Sequence, residues 1–157
     1  MKKYVFITLL ALVAVVFTAC DRYPNAPKQK VTIDLVVNQN DWEFDEDANR
    51  FFCHFNVSAL TAEAYNYGEI SISREYNSGK ANVYQVALPE TSYKVEEETD
   101  DEGNVINTFY YQQHIDYAVG IQWVEVTYTI SDYIYPTNQN GKRINPESML
   151  FRLQLTY

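Results

Sequence analysis

Two histidines and two cysteines are the residues of this 157-residue chain best suited to catalysis or metal binding. His54 and His114 are far apart in the chain, and no HExxH, CxxC, GxSxG or glycine-rich phosphate-binding motif accompanies them. A zinc site of both histidines and a carboxylate is a conceivable alternative, because three protein ligands suffice for catalytic zinc. Nothing in the spacing selects it, so the sequence predicts no catalytic residue, no metal site and no cofactor.

Cys20 ends an N-terminal segment that has the three parts of a secretory signal peptide. Lys2 and Lys3 precede an apolar run from Tyr4 to Phe17, and small residues follow. The run is too short for a membrane-spanning helix, which needs about 20 apolar residues. Thr18-Ala19-Cys20 resembles the lipobox of bacterial lipoproteins, in which a peptidase cuts before a cysteine that is then acylated. We therefore predict a signal peptide at 1–19 and lipidation of Cys20; the alternative is an ordinary signal peptide with an incidental cysteine.

The charge balance of the mature chain argues against nucleic acid as a partner. Loss of the two signal lysines leaves 10 basic against 21 acidic residues, a formal charge of about −11. Nucleic-acid binding depends on neutralising phosphates with Lys and Arg, which this surface cannot do. Residues 20–30, with Pro24 and Pro27, are predicted to form a flexible tether that joins the lipid to a single domain at 31–157.

Strict alternation of apolar and polar residues recurs along the chain and predicts strands with one buried face. The last segment is the clearest, because Met149, Phe151, Leu153, Leu155 and Tyr157 all share one face. Turn residues follow about every ten residues, which is typical of an antiparallel sandwich or barrel. We predict an all-β fold, an antiparallel β-sandwich of eight or nine strands, with a barrel as the alternative. The strands are expected at 31–37, 41–45, 50–58, 69–73, 82–89, 92–97, 105–116, 121–130 and 149–157.

Two local patterns refine this fold. Thr61 is expected to cap the only short helix, at 62–66, which ends at Gly68. Cys53 shares its parity with Phe51 and Phe55, so it is predicted to be a small buried hydrophobe.

The acidic segments are predicted to be solvated turns. Residues 96–103 contain six carboxylates and could offer oxygen ligands to calcium, but their spacing does not follow the EF-hand order. Residues 45–47 are interpreted in the same way.

Three large aromatic residues fall on the polar side of their predicted strands. Trp123 shares parity with Glu125, Phe52 with His54, and Tyr110 with His114. A covering loop or a second sheet would explain them as core. An exposed aromatic patch would instead mark an interaction site, so these five residues, Phe52, His54, Tyr110, His114 and Trp123, are the candidate ligand-binding residues for a glycan or a protein.

The lipobox, the tether and the phrases YNYGEISISREYNSG, YAVGIQWVEVTYTISDY and ESMLFRLQLTY together resemble the small uncharacterised lipoproteins of gut Bacteroidota. The resemblance implies a lipid-anchored protein of the cell envelope, in the outer membrane and facing the periplasm or the surface. The function expected is a non-catalytic binding or adhesion module. The alternatives are an assembly subunit that pairs edge strands between chains and, less favoured, a hydrolase.

The lipid anchor can be tested directly. Only a cysteine sulfur can accept the diacylglyceryl group, so Cys20→Ser is expected to abolish palmitate labelling and to move the protein out of the membrane fraction. A cleaved Cys20→Ser protein that stays in the membrane fraction would contradict the lipoprotein prediction.

Overall fold

The structure is a computed structural model that describes residues 29–131, 135–137, 141 and 143–157. The predicted signal peptide, Cys20 and most of the predicted tether lie outside these residues. The described part contains nine strands, one 3₁₀ turn at Gln39–Asp41 and one short helix, α1, at Ala62–Tyr67. The strands are β1 (Lys30–Val37), β2 (Glu43–Asp45), β3 (Arg50–Asn56), β4 (Glu69–Tyr76), β5 (Tyr84–Ala87), β6 (Glu90–Thr99), β7 (Val105–Gly120), β8 (Trp123–Ile130) and β9 (Met149–Thr156).

The strands form two antiparallel sheets. One sheet has the order β1-β9-β4-β5 and the other β2-β3-β8-β7-β6. The two sheets do not close on each other, so the predicted sandwich is confirmed and the barrel alternative is excluded. Among the described residues, no helix is long and apolar enough to cross a membrane.

The core lies between the sheets and follows the alternation read from the sequence. Leu153 of β9 is fully buried between Ile33 of β1 and Ile72 of β4, its cross-strand neighbours. Val124 and Val126 of β8 supply fully buried side chains from the other sheet. Because β8 and β9 each have a strand on both sides, their apolar faces are the most completely covered part of the core.

The predictions for Cys53 and for the helix are confirmed. Cys53 is buried, and its burial raises the pKa of the thiol. Thr61 caps α1 by accepting a hydrogen bond of 3.1 Å from the backbone N–H of Ala64. The helix ends at Gly68 for a different reason than expected, because Gly68 is not in the left-handed region (φ −87°). A Cβ at Gly68 would collide with the carbonyl oxygen of Ala64, so the close approach requires glycine.

Most strand boundaries differ by a few residues from the sequence prediction; β4, β6 and β7, for example, continue to Tyr76, Thr99 and Gly120. Two of the differences have a clear local cause. Gln29 and Tyr157 exchange backbone hydrogen bonds of 2.7 and 3.0 Å, and β1 begins at Lys30, so the last two residues of the predicted tether belong to the sheet. The predicted strand at 41–45 is shorter, since the capping box of Asn38 and Asp41 closes a 3₁₀ turn first. Local side-chain capping takes precedence there over the alternation of the following residues.

The register of β9 can be tested by truncating one side chain on each of its faces. Leu153→Ala is expected to lower the free energy of unfolding by about 2 to 5 kcal/mol, because it leaves a cavity between the sheets. Gln154→Ala, on the outward face, is the matched control and should cost less than about 1 kcal/mol. Urea denaturation measures both, and equal losses would contradict the assigned register.

Candidate functional site

Phe52, His54 and Trp123 form a group, here the outer cluster, on the outward face of the five-stranded sheet. His54 and Trp123 stack with ring centroids 5.6 Å apart and an angle of 25° between their planes. Trp123 also lies against Gly120, where a Cβ would collide with the indole. These contacts leave Trp123 half-buried. Part of the ring surface that was expected to be exposed is therefore covered by His54 and Gly120.

Tyr110 and His114 lie elsewhere on the same face. Phe52 and Asp116 both pair with Thr127 of β8, so they lie at the same height in the sheet. Tyr110 is six residues further along β7, which is about 20 Å at the rise of a β-strand. His114 bonds through Nδ1 to Thr91 at 2.9 Å rather than to any member of the outer cluster. The five candidate residues therefore share a face but do not form one site: His54 and Trp123 are in contact, whereas Tyr110 and His114 lie four residues apart on β7.

The histidines and the acidic turn do not assemble a metal site among the described residues. No group of three or more His, Cys, Asp or Glu side chains in that part of the chain is placed to hold a metal ion. Asp100 instead closes the turn between β6 and β7, because its Oδ1 accepts from the backbone N–H groups of Asn104 at 2.8 Å and Glu102 at 3.0 Å. The hydrogen bonds from Asn104 lower the pKa of Asp100.

The most unusual feature of the molecule is the length of β7. β7 has 16 residues whereas β8 has 8, and the β7–β8 ladder ends at Gln113 and Ile130. Beyond that point β6 is the one described strand that pairs with β7, so residues 94–111 form a two-stranded extension, here called the arm. Its ladder contains a β-bulge at Ile106, because Glu98 pairs with Asn107 and Thr99 with Val105. Phe109 is 49% and Tyr110 71% exposed, and Val95, Val105 and Ile106 are exposed as well.

The edge of β7 that faces away from β6 is open along the arm. Gln112 shows the direction of the backbone, because its C=O accepts from the Ser131 N–H at 2.9 Å and its N–H donates to Ser131 Oγ at 3.1 Å. Since backbone groups alternate in direction along a strand, Tyr110 and Thr108 direct their N–H and C=O groups to the same side. The Thr108 N–H is bonded to the side chain of its neighbour Asn107 at 3.0 Å. Apart from this local bond, no described strand pairs with the backbone of residues 105–111 on this side.

Two adjoining cavities, here the arm groove, run beside this open edge. The outer cavity, of about 370 Å³, contains Thr108, Phe109 and Tyr110 in its wall. The inner cavity, of about 290 Å³, extends between the sheets to Phe51, Gln113, Tyr128 and Met149. Both are lined by a common set of residues, Glu96, Tyr111, Ile130 and Pro136.

The inner cavity combines aromatic rings with polar groups. Gln113 is 4% exposed, and its Nε2 has no hydrogen-bond partner among the described residues. Tyr111 donates to Glu96 Oε1 at 2.7 Å, and burial together with this bond raises the pKa of Tyr111. Burial, with a contribution from Tyr135, raises the pKa of Tyr128 to about 12. The tyrosines therefore stay neutral hydrogen-bonding groups across the physiological range.

Sequence reasoning missed Phe109, Tyr111 and Gln113 as site residues. Alternation shows which face a residue occupies, but it does not show where the neighbouring strand ends. The available signal was charge: residues 103–113 contain no charged residue, whereas residues 94–102 contain seven.

A scan against protein-family models, a search of curated proteins and a search of solved structures each gave no match. The site is therefore interpreted from its own geometry.

Gln113 provides a test of whether the inner cavity is built for binding or for stability. A buried donor without an acceptor costs free energy, so Gln113→Met, which keeps the volume, is expected to leave the melting temperature unchanged or to raise it by a few degrees. Gln112→Met, at the exposed neighbouring position, is the control and should have little effect. A clear fall in melting temperature for Gln113→Met alone would show that the amide stabilises the fold.

Proposed function

We propose that the protein is a lipid-anchored, non-catalytic binding module of the cell envelope whose partner is an extended protein segment. The anchor and location rest on the lipobox-like Thr18-Ala19-Cys20 and on the resemblance to Bacteroidota lipoproteins. The observation that carries the binding function is the open edge of β7 beside the arm groove.

The edges of the two sheets differ in how they are protected. Charged residues and short length are the usual means by which strand edges avoid pairing with other chains. β2 and β5 have three and four residues, β1 carries Lys30 and Asp34, and β6 carries Lys94 and three consecutive glutamates. Residues 107–111 of β7 are uncharged and regular, and the β-bulge at Ile106 alters the strand only at the end of this segment next to the turn. The regular part of the edge is therefore unprotected, which supports a partner strand there.

The arm groove supports the same function. A strand added to the edge of β7 would direct alternate side chains to opposite faces, and one set would enter the groove. Phe109 and Tyr111 would contact these side chains, and Glu96 would meet any polar or basic group among them. Main-chain hydrogen bonds would supply affinity, and the groove would supply selectivity.

The structure favours this partner over the other classes for specific reasons. A glycan platform would need a more open ring than Trp123, which already contacts His54 and Gly120. Hydrolase chemistry based on the two histidines is not supported by their separation, since His54 is level with Ala118 and His114 is four residues further along β7. The exposed apolar residues of the arm form a larger surface than the partly covered ring of Trp123, and such surfaces are typical of protein interaction sites.

A proline at position 110 separates strand addition from other modes of binding. The Tyr110 N–H faces away from β6, so Tyr110→Pro removes a donor to the incoming strand without removing a β6–β7 hydrogen bond. We expect it to reduce partner binding at least tenfold. Tyr110→Thr is the matched control, because it also removes the ring but keeps the N–H and a strand-forming residue.

Binding can be measured by placing a benzoylphenylalanine at position 109 of the full chain in cells and quantifying photo-cross-linked adducts. The melting temperature of each variant confirms that the fold is retained. Equal loss in Tyr110→Pro and Tyr110→Thr would assign binding to the ring, and the absence of any adduct in the parent would contradict the proposed function.

A further inference from the structure

The open edge of β7 is suited to pairing with a copy of itself. Residues 103–113 are uncharged, so two such strands placed side by side bring no like charges into direct contact. The open segment, 105–111, is centred on Thr108. An antiparallel pair with a twofold axis at Thr108 is therefore centred on the open segment, and the β-bulge at Ile106 lies towards one end of it.

We propose that the extended segment bound at the arm is the same segment of a second copy, paired β7 to β7 about this axis. The inference rests on the proposed function and specifies its partner. In this register Thr108 faces Thr108 of the second copy, and Ile106 faces Tyr110 of the second copy. Because Thr108 and Tyr110 both direct their backbone groups outward, the outward groups of one copy meet those of the other, as a hydrogen-bonded antiparallel pair requires. The central pair forms when the Thr108 N–H exchanges its bond to the Asn107 side chain for the carbonyl of the second copy.

The side chains match as well as the backbones. Ile106 is 59% and Tyr110 71% exposed, so each buries an apolar surface that the single chain leaves in water. Aromatic and β-branched residues are favourable cross-strand pairs, and so are two threonines. On the opposite face, Phe109 of each copy lies beside the groove of the other copy and faces Asn107 across the strand pair. This arrangement breaks no hydrogen bond between β7 and β8.

The charge distribution is compatible with self-pairing. Each mature chain carries a formal charge of about −11, but this repulsion is screened within about 8 Å at physiological ionic strength. The charges of the arm are on β6 and on the turn, and β6 is separated from the partner strand by the full width of β7. A basic segment of another protein would meet less repulsion than a second copy, and the experiment below distinguishes these two partners.

The size of the contact indicates a weak dimer that the membrane strengthens. A contact limited to one strand of each copy is smaller than the roughly 1,200 to 2,000 Å² that stable specific complexes bury. Lipid anchors hold copies at a high effective concentration in one plane. Pairing is therefore expected on the membrane at natural density, with dissociation on dilution in detergent.

Disulfide trapping in the full chain tests the register. In a hydrogen-bonded antiparallel pair the two position-108 Cα atoms are about 5.5 Å apart, which suits a disulfide. Thr108→Cys should therefore give a disulfide-linked homodimer when membranes are oxidised with copper phenanthroline. Glu97→Cys is the control, because Glu97 lies directly opposite Thr108 on β6 and is the more exposed of the two, so its cysteine is at least as accessible to the oxidant. Its two copies would be three strand spacings apart, about 14 Å, too far for a bridge.

We expect at least tenfold more homodimer from Thr108→Cys than from Glu97→Cys. Cys53 is buried with a raised thiol pKa and should stay unreactive, and the parent chain measures any background from Cys20. Adding Tyr110→Pro to Thr108→Cys should remove the homodimer, whereas adding Tyr110→Thr should retain it.

Two results would overturn the inference. Equal homodimer from both cysteine variants would indicate random collision. A lack of homodimer from Thr108→Cys, combined with photo-cross-links from position 109 to a different protein that Tyr110→Pro abolishes, would show that the edge binds another chain. That second result would leave the proposed function standing, whereas the loss of all photo-cross-links would remove both.

Discussion

Burial of one apolar face on each of two central strands is the interaction on which the rest of the structure depends. Phe151, Leu153 and Leu155 of β9 meet Val124 and Val126 of β8 in a core from which water is excluded, and each is at most 1% exposed. Full burial of one such side chain contributes about 1.5 to 3 kcal/mol. Since a one-residue slip would turn every one of these side chains to solvent, the core also fixes the register of the strands on either side.

The core also explains why the arm is separate from it. Interior packing requires a sheet on each side, and this condition ends where β8 stops at Ile130. β7 continues with β6 as its only strand partner among the described residues, so Phe109 and Tyr111 keep the inward parity of core residues without an opposing sheet. The arm groove is the space that this mismatch in strand length leaves. A protein that needed only stability would gain from a shorter β7, because two-stranded ribbons are marginal by themselves.

Alternation in the sequence was sufficient to predict the sandwich, the burial of Cys53 and the inward face of β9, and the capping residue Thr61 was sufficient to predict the helix. It was insufficient for the site, and the physical reason is that parity is a local property. Tyr110 and Trp123 share a face, but only the pairing of β7 with β8 shows that they are about 30 Å apart along it. Likewise, the sequence shows Gln113 as an ordinary polar residue of a strand. The burial of its amide becomes evident only from the packing of the opposite sheet.

The acidic residues acquire a specific role once the strand edges are compared. Six of them occupy residues 96–102, on β6 and the turn, and none occupies residues 103–113. Spread evenly, they would have protected both edges of the arm against pairing. Their placement protects the β6 edge alone, so the arm can accept a strand on one side only. One-sided pairing ends with two partners, whereas an arm open on both sides would extend into a sheet of indefinite length. In the proposed dimer, the uncharged edge of β7 permits association and the charged edge of β6 limits it to two copies.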